Sequence, residues 1–193
     1  NLEIGYNSAI AKINLELYKG QKLAIIGSNG TGKSTLLKTL MGKEKYISGE
    51  FEFGHNVEIG YFDQQTATNN ISNETILDHF LRLFPDTDTE TARTNLGAFC
   101  FTQDDVFKNL RDLSGGEMVR LELCKLLKKR PNFLILDEPT NHMDIAGKVA
   151  LESMLKNYEG TIIFVSHDRY FVNKIAESLI VFDGDECKFL RDT

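Results

Sequence analysis

An α/β fold with a helical insertion follows from three features of this 193-residue chain. From about Leu113 onward, helical stretches alternate with short apolar runs at 133–136, 161–165 and 178–182. Such alternation is the pattern of a mostly parallel sheet covered on both faces. Near the start, the apolar run 22–26, a glycine-rich loop at 27–34 and a helically spaced run at 35–41 read as strand, loop and helix. Between these regions, residues 72–112 carry helical spacing, which predicts a helical subdomain inserted into the α/β core.

Taken in order, the first fifty residues read as three strands and a helix, giving an N-terminal antiparallel β subdomain. Asn14-Leu15-Glu16-Leu17-Tyr18 alternates like a half-buried strand, and Lys19-Gly20-Gln21 turns into the strand at 22–26. The helix at 35–41 stops near Gly42. Residues 50–53 and 57–62 flank Gly54-His55-Asn56 and predict a hairpin. Ile76, Leu77, Phe80, Leu81 and Phe84 form one apolar face of a helix ended by Pro85. Thr87 and Glu90 have capping-box spacing for the helix after it, and Ser114 and Glu117 have the same spacing at the head of an apolar helix over 119–127. The whole chain, 1–193, reads as a single domain.

Composition excludes several classes. Hydrophobic residues make up 41% and charged residues 26%, an ordinary globular balance that can bury one substantial core. No apolar run approaches the roughly 20 residues of a membrane span, so no direct membrane insertion is expected, and the N-terminus shows no secretory signal. Cys100, Cys124 and Cys187 are isolated, which argues against a disulfide framework or zinc site and fits a reducing cytoplasm. A net charge of −6 argues against a surface that is basic throughout, while leaving room for a local basic patch. The chain begins at Asn1 rather than Met and reads as a fragment or a processed product.

Gly27-Ser28-Asn29-Gly30-Thr31-Gly32-Lys33-Ser34, followed by Thr35, fits the phosphate-loop pattern G-x-x-x-x-G-K-[ST]. Its glycines let backbone N–H groups close around phosphate oxygens, and the helix start adds its positive end. Lys33 offers a point charge to β/γ-phosphates and Ser34 a hydroxyl to Mg²⁺. A chance glycine turn before a lysine would lack the flanking strand and helix. In Leu113-Ser114-Gly115-Gly116-Glu117, two glycines weaken a helix start, so a plain cap explains them poorly. They expose bare N–H groups to an anion. The run 133–136 ends in Asp137 and Glu138, at the strand edge where α/β ligands bind. There Asp137 suits Mg²⁺ and Glu138 suits a general base, although such a pair standing alone would read as a solvated turn. His167 follows the apolar run 162–165 and is placed to orient water or read a γ-phosphate, where an isolated histidine would more often be structural. Gln64, with Gln65 beside it, suits Mg²⁺ or its water, or a plain polar loop. Tyr6 suits stacking on a purine, or packing.

These ordered motifs resemble the ATP-binding cassette (ABC) superfamily over essentially the whole chain. The resemblance makes Gly27–Ser34 the Walker A motif, Gln64 the Q-loop glutamine, 113–117 the signature, 133–137 with Glu138 the Walker B region, His167 the switch histidine and Tyr6 the adenine-stacking aromatic. It implies an ABC-type P-loop core. Asp137-Glu138-Pro139-Thr140-Asn141-His142-Met143-Asp144 and Ser166-His167-Asp168-Arg169-Tyr170-Phe171 are similar to the ABC-F class, above all its C-terminal cassette, with Met143 where that class has Leu. The likeness implies an ATPase that uses ATP and Mg²⁺ and pairs with a second cassette, in the same chain or as a homodimer. In such pairs Ser114, Gly115 and Gly116 serve the partner's nucleotide. It also implies action of the full-length protein on the ribosome and its RNA, as a translation factor or in antibiotic resistance. The alternatives are an ATPase subunit of a membrane transporter and a nucleotide-gated module with little hydrolysis.

Overall fold

A computed structural model describes residues 2–5, 9–63, 72–183 and 186–191. Packing divides the chain into two compact units. One comprises 1–61, 131–139 and 159–193, and the other 62–130 and 140–158.

The first unit holds the sheet. Its strands are β1 (Leu2–Gly5), β2 (Ala9–Ile13), β3 (Lys22–Gly27), β4 (Tyr46–Gly49), β5 (Ile59–Phe62, whose last residue falls in the second unit), β6 (Phe133–Asp137), β7 (Thr161–Val165), β8 (Ser178–Asp183) and β9 (Glu186–Arg191). Their order is β4-β1-β2-β9-β8-β3-β7-β6-β5. The centre, β8-β3-β7-β6, is parallel, while β1 pairs antiparallel with both β2 and β4. Leu23 and Ile25, Phe133 and Ile135, Ile163 and Val165, and Ile180 and Phe182 repeat every second residue and join Leu36 and Leu37 of α1 (Lys33–Leu40) in one core. The alternate positions Ala24, Leu134, Leu136, Ile162 and Phe164 are also fully buried. Burial on both faces explains why the central strands read as unbroken apolar runs. A short helix, α6 (Arg169–Ile175), lies between β7 and β8 in sequence, and Asp168 caps it.

The second unit is helical. It contains α2 (Ile76–Leu83), α3 (Thr89–Ala98), two 3₁₀ turns (Gln103–Phe107 and Leu110–Asp112), α4 (Gly115–Lys128) and α5 (Ile145–Asn157). Phe80, Leu96, Phe101, Leu110 and Leu121 are all but inaccessible in its core. Cys124 is buried there, and burial pushes its thiol up to about 12. All three cysteines are free.

Three local expectations change. Residues 14–18 are not a strand; β2 ends at Ile13, and the chain then turns, with Gln21 N donating to the Tyr18 carbonyl and Tyr18 N to Gln21 Oε1. Leu15 and Leu17 are still half-buried between exposed neighbours. Alternation reports a buried side, not a hydrogen-bonded neighbour. The hairpin across Gly54-His55-Asn56 does not form. Asn132 takes its place as the organiser: its side chain accepts from Glu58 N and donates to the Asn56 carbonyl, and the N–H groups of Asn132 and Phe133 donate to the Glu58 carbonyl. These bonds direct the segment toward the start of β6. Finally, Asp88 rather than Thr87 caps α3. Its carboxylate accepts from Thr91 N at 2.9 Å and from the Thr91 hydroxyl at 2.7 Å.

The cap assignment predicts a contrast. Asp88→Ala should lose about 1 kcal/mol of stability, and Thr87→Ala should stay within about 0.5 kcal/mol. Urea denaturation of both variants checks this, and equal losses would return the cap to Thr87.

Candidate functional site

Strand register sets the site in the first unit. Ile25 pairs with Val165, and Val165 with Asp137, so β7 and β6 end level with one another while β3 runs on to Gly27 beside β8. Because the three strands are parallel, the residues after them emerge at one edge of the sheet, the edge where α/β proteins bind ligands.

The glycine loop leaves β3 at Gly27. A Cβ there would stand 2.6 Å from the Phe182 carbonyl oxygen of β8, so strand packing alone demands glycine. Ser28, Asn29 and Gly30 are exposed, and the Thr31 hydroxyl donates to the Ser28 carbonyl at 2.9 Å. Gly32, at φ 95°, starts α1 without any side-chain cap. The other five α-helices each begin with a side-chain cap from Thr75, Asp88, Ser114, Asp144 or Asp168. Among the described residues, α1 alone thus presents the N–H groups of its first turn with no side-chain acceptor, the arrangement that suits an anion. Lys33 is buried, 6% exposed, and its ammonium donates to the carbonyls of Gly27 at 3.0 Å and Ser28 at 2.6 Å. Burial lowers its pKa, while Glu138 and Asp137 oppose that shift.

Ser34 Oγ donates to Asp137 Oδ1 at 3.1 Å. A hydroxyl and a carboxylate side by side are the hard oxygen donors that Mg²⁺ accepts, and one or two such groups suffice when phosphates complete the shell. The residues present therefore fit the ion. Glu138 follows in left-handed backbone, φ 49°, with its N–H donating to the Val165 carbonyl. Its carboxylate lies 3.3 Å from His167 Nε2 and accepts from His167 N, also at 3.3 Å. Burial raises the Glu138 pKa, and the neighbouring His167 works against that rise. Asp168 accepts from the N–H groups of Tyr170 and Phe171, and Ser166 Oγ accepts from Asp168 N. These bonds fix the turn that carries His167.

In the second unit, Ser114 and Glu117 form the expected capping box: Ser114 Oγ accepts from Glu117 N, and Glu117 accepts from Ser114 N at 2.8 Å. Gly115 and Gly116 make the first turn of α4. A Cβ on Gly116 would stand 2.5 Å from the His142 carbonyl oxygen, whereas one on Gly115 would meet nothing closer than 3.9 Å. Tyr6, Gln64 and Gln65 lie outside the described residues. Sequence reading did not single out Arg120, whose Nη1 donates to Asp144 Oδ1 at 2.8 Å. Asp144 ahead of a helix was a legible cap, but no spacing rule ties it to Arg120.

The sequence profile of the ABC transporter family matches residues 10–141. The chain belongs to that family. It is an ABC-type ATPase cassette with the α/β P-loop fold. The cassette is 45% identical over 183 residues to YdiF of Bacillus subtilis, with 93% of this chain and 28% of that protein covered. It is 43% identical over 196 residues to ABC transporter F family member 2 of Arabidopsis thaliana, with 100% and 29% covered. The chain thus spans under a third of the length of either relative. Among solved structures it is similar to a metal-chelate type ABC transporter in an inward-facing conformation, with TM-score 0.78, 25% identity, and 99% of this chain and 80% of that chain covered. It also resembles the cassette MJ0796 in a dimeric post-hydrolysis state with ADP and Pi, with TM-score 0.77, 21% identity, and 99% and 96% covered; this second likeness is one of fold alone.

The two signature glycines have different reasons to be small, and substitution should separate them. Gly116→Ala should cost the cassette about 1–3 kcal/mol through the clash with His142. Gly115→Ala should be neutral or stabilising by up to about 1 kcal/mol, since alanine favours helix. Thermal melting of the two variants is the measurement, and matched melting temperatures would refute the distinction.

Proposed function

We propose that this cassette binds Mg·ATP through Gly27–Ser34 and Thr35, and hydrolyses it when a second cassette supplies the opposing signature. The observation that carries the reading is the start of α1. Among the described residues its first-turn N–H groups have no side-chain acceptor, and a buried lysine and an Asp–Ser pair lie beside them. Lys33 and the loop N–H groups hold the phosphates. Ser34, Asp137 and, by resemblance, Gln64 would hold Mg²⁺, which when bound would neutralise charge on the phosphoryl oxygens. Glu138 takes the proton of the attacking water. Its raised pKa keeps the carboxylate a better base than a free one, in the direction catalysis near neutral pH requires. His167, 3.3 Å from that carboxylate, orients it and faces the γ-phosphate. By the same resemblance, Tyr6 would stack on the adenine. Ser114, Gly115 and Gly116 serve the partner's nucleotide, and the two units act together as one nucleotide-binding domain.

The wider setting is an ABC-F protein with two cassettes, working in the cytoplasm on the ribosome and its RNA, as a translation factor or in antibiotic resistance. The ABC-F-like run Asp137–Asp144 and the 43% identity to an F family member support this setting over a transporter subunit, for which the structural likeness is 25% identical. No helix among the described residues is long and apolar enough to cross a membrane.

Glu138→Gln should keep ATP affinity and lose turnover by about 10²–10⁴-fold in the paired protein, read by single-turnover hydrolysis. Turnover at the parent rate would remove Glu138 from the role of base. A second comparison separates the domain's own phosphate site from the one it lends. Lys33→Ala should weaken nucleotide binding to the isolated chain strongly, whereas Ser114→Arg should leave that binding nearly intact and block ATP-driven pairing. Calorimetry and light scattering report the two effects, and equal loss of binding in both variants would put Ser114 in the domain's own site.

A further inference from the structure

Arg120 is the unexplained charge of the second unit. Its side chain is only 9% exposed, and it lies 5.4 Å over the Phe101 ring. Nη1 donates to Asp144 Oδ1 at 2.8 Å, while Nε is buried with no hydrogen-bond partner among the described residues. A guanidinium cannot shed its charge to escape burial, so the Asp144 contact matters more than an exposed ion pair would. Asp144 is itself 62% exposed, and the same Oδ1 accepts from Gly147 N at 2.9 Å, which caps α5. One carboxylate oxygen therefore ties α4, through Arg120, to the first turn of α5.

That oxygen also ends the loop 140–144. Two residues earlier, His142 sits in left-handed backbone, φ 63°, and its carbonyl oxygen occupies the space a side chain at position 116 would need. A non-glycine residue keeps such a conformation only where its surroundings over-determine it. Crowding shows how tightly the joint is packed: a Cβ at Gly147 would stand 2.8 Å from Asp144 Oδ1 and 3.0 Å from Arg120 Cδ. Ser114, Gly116, Glu117, Arg120, His142 and Asp144 together line a cavity of about 290 Å³ at the head of α4.

We propose that Arg120 is a positioning residue: through Asp144 it locks the 140–144 loop against the first turn of α4 and so sets the shape that Ser114 and Gly116 present to a partner's nucleotide. The inference rests on the pairing reading above. Arg120 touches no nucleotide in this scheme, and its effect reaches the phosphate only through the loop.

The test uses the chain carrying Glu138→Gln, so that ATP-driven pairing accumulates. Asp144→Asn keeps an oxygen to cap α5 and removes the charge. Arg120→Met keeps the apolar stem over Phe101 and removes the donor. Each should weaken ATP-driven pairing by about tenfold or more, and the double variant should do no worse than either single one, because both break the same link. Arg120→Lys should recover part of the loss. Nucleotide affinity of the unpaired chain should be unchanged throughout. Asp144→Asn should also speed amide hydrogen exchange across 140–147 without nucleotide, a readout independent of pairing. Unchanged exchange there would overturn the lock. So would additive losses in the double variant, or pairing losses that merely follow melting temperature and own-site affinity. Failure of the Glu138→Gln parent to pair with ATP would overturn the pairing reading and this inference with it.

Discussion

The parallel register of β3, β7 and β6 is the constraint from which the rest of the first unit follows. With Ile25, Val165 and Asp137 level, three separate stretches of chain deliver their next residues to one edge. Gly27 opens the loop, Glu138 follows Asp137, and Ser166-His167 follows Val165. The three stretches lie far apart in sequence, yet Ser34 reaches Asp137 and Glu138 reaches His167 by hydrogen bonds. The strands themselves are apolar on both faces, so polar chemistry has no place along them and is confined to their ends. A slip of one residue in this register would turn Asp137 toward the opposite face and break the contact with Ser34.

Charge at that edge is arranged so that each group is partly answered by another. Lys33 is buried, and its ammonium is satisfied by two carbonyls of its own loop while two carboxylates stand nearby. Asp137 accepts a hydroxyl, and Glu138 accepts a backbone N–H from the residue whose imidazole lies against it. The sheet edge thus keeps a lysine, two acids and a histidine in contact with specific partners rather than in open water. Such pre-arranged dipoles need no reorganisation when charge develops on a phosphoryl group.

Much of this was legible in the sequence, for a physical reason. A strand buried on both faces announces itself as an apolar run, and 22–26, 133–136 and 161–165 all stand as strands in the sheet. The capping box at Ser114 and Glu117 was legible because both partners lie within one turn. What failed involved partners far away in sequence. Residues 14–18 alternate correctly but form no strand, and the expected hairpin yields to Asn132, which lies more than seventy positions away from Asn56 and Glu58. The pairing of Arg120 with Asp144 is hidden in the same way. Thr87 and Asp88 were a local choice between two good caps, which the carboxylate won through two bonds to Thr91.

Gly27 shows how a motif residue can serve two masters. It is the first glycine of the proposed phosphate loop, but the atom that forbids a side chain there belongs to Phe182, on the neighbouring strand. A screen of substitutions at this position scored by ATP binding would record losses and credit them to phosphate recognition, when the lesion begins as a misfit between two strands. The evolutionary corollary is that position 27 is coupled to the path of β8. Any lineage that replaced this glycine would first have to move that strand's backbone, since trimming the Phe182 side chain would leave the obstructing carbonyl oxygen where it is.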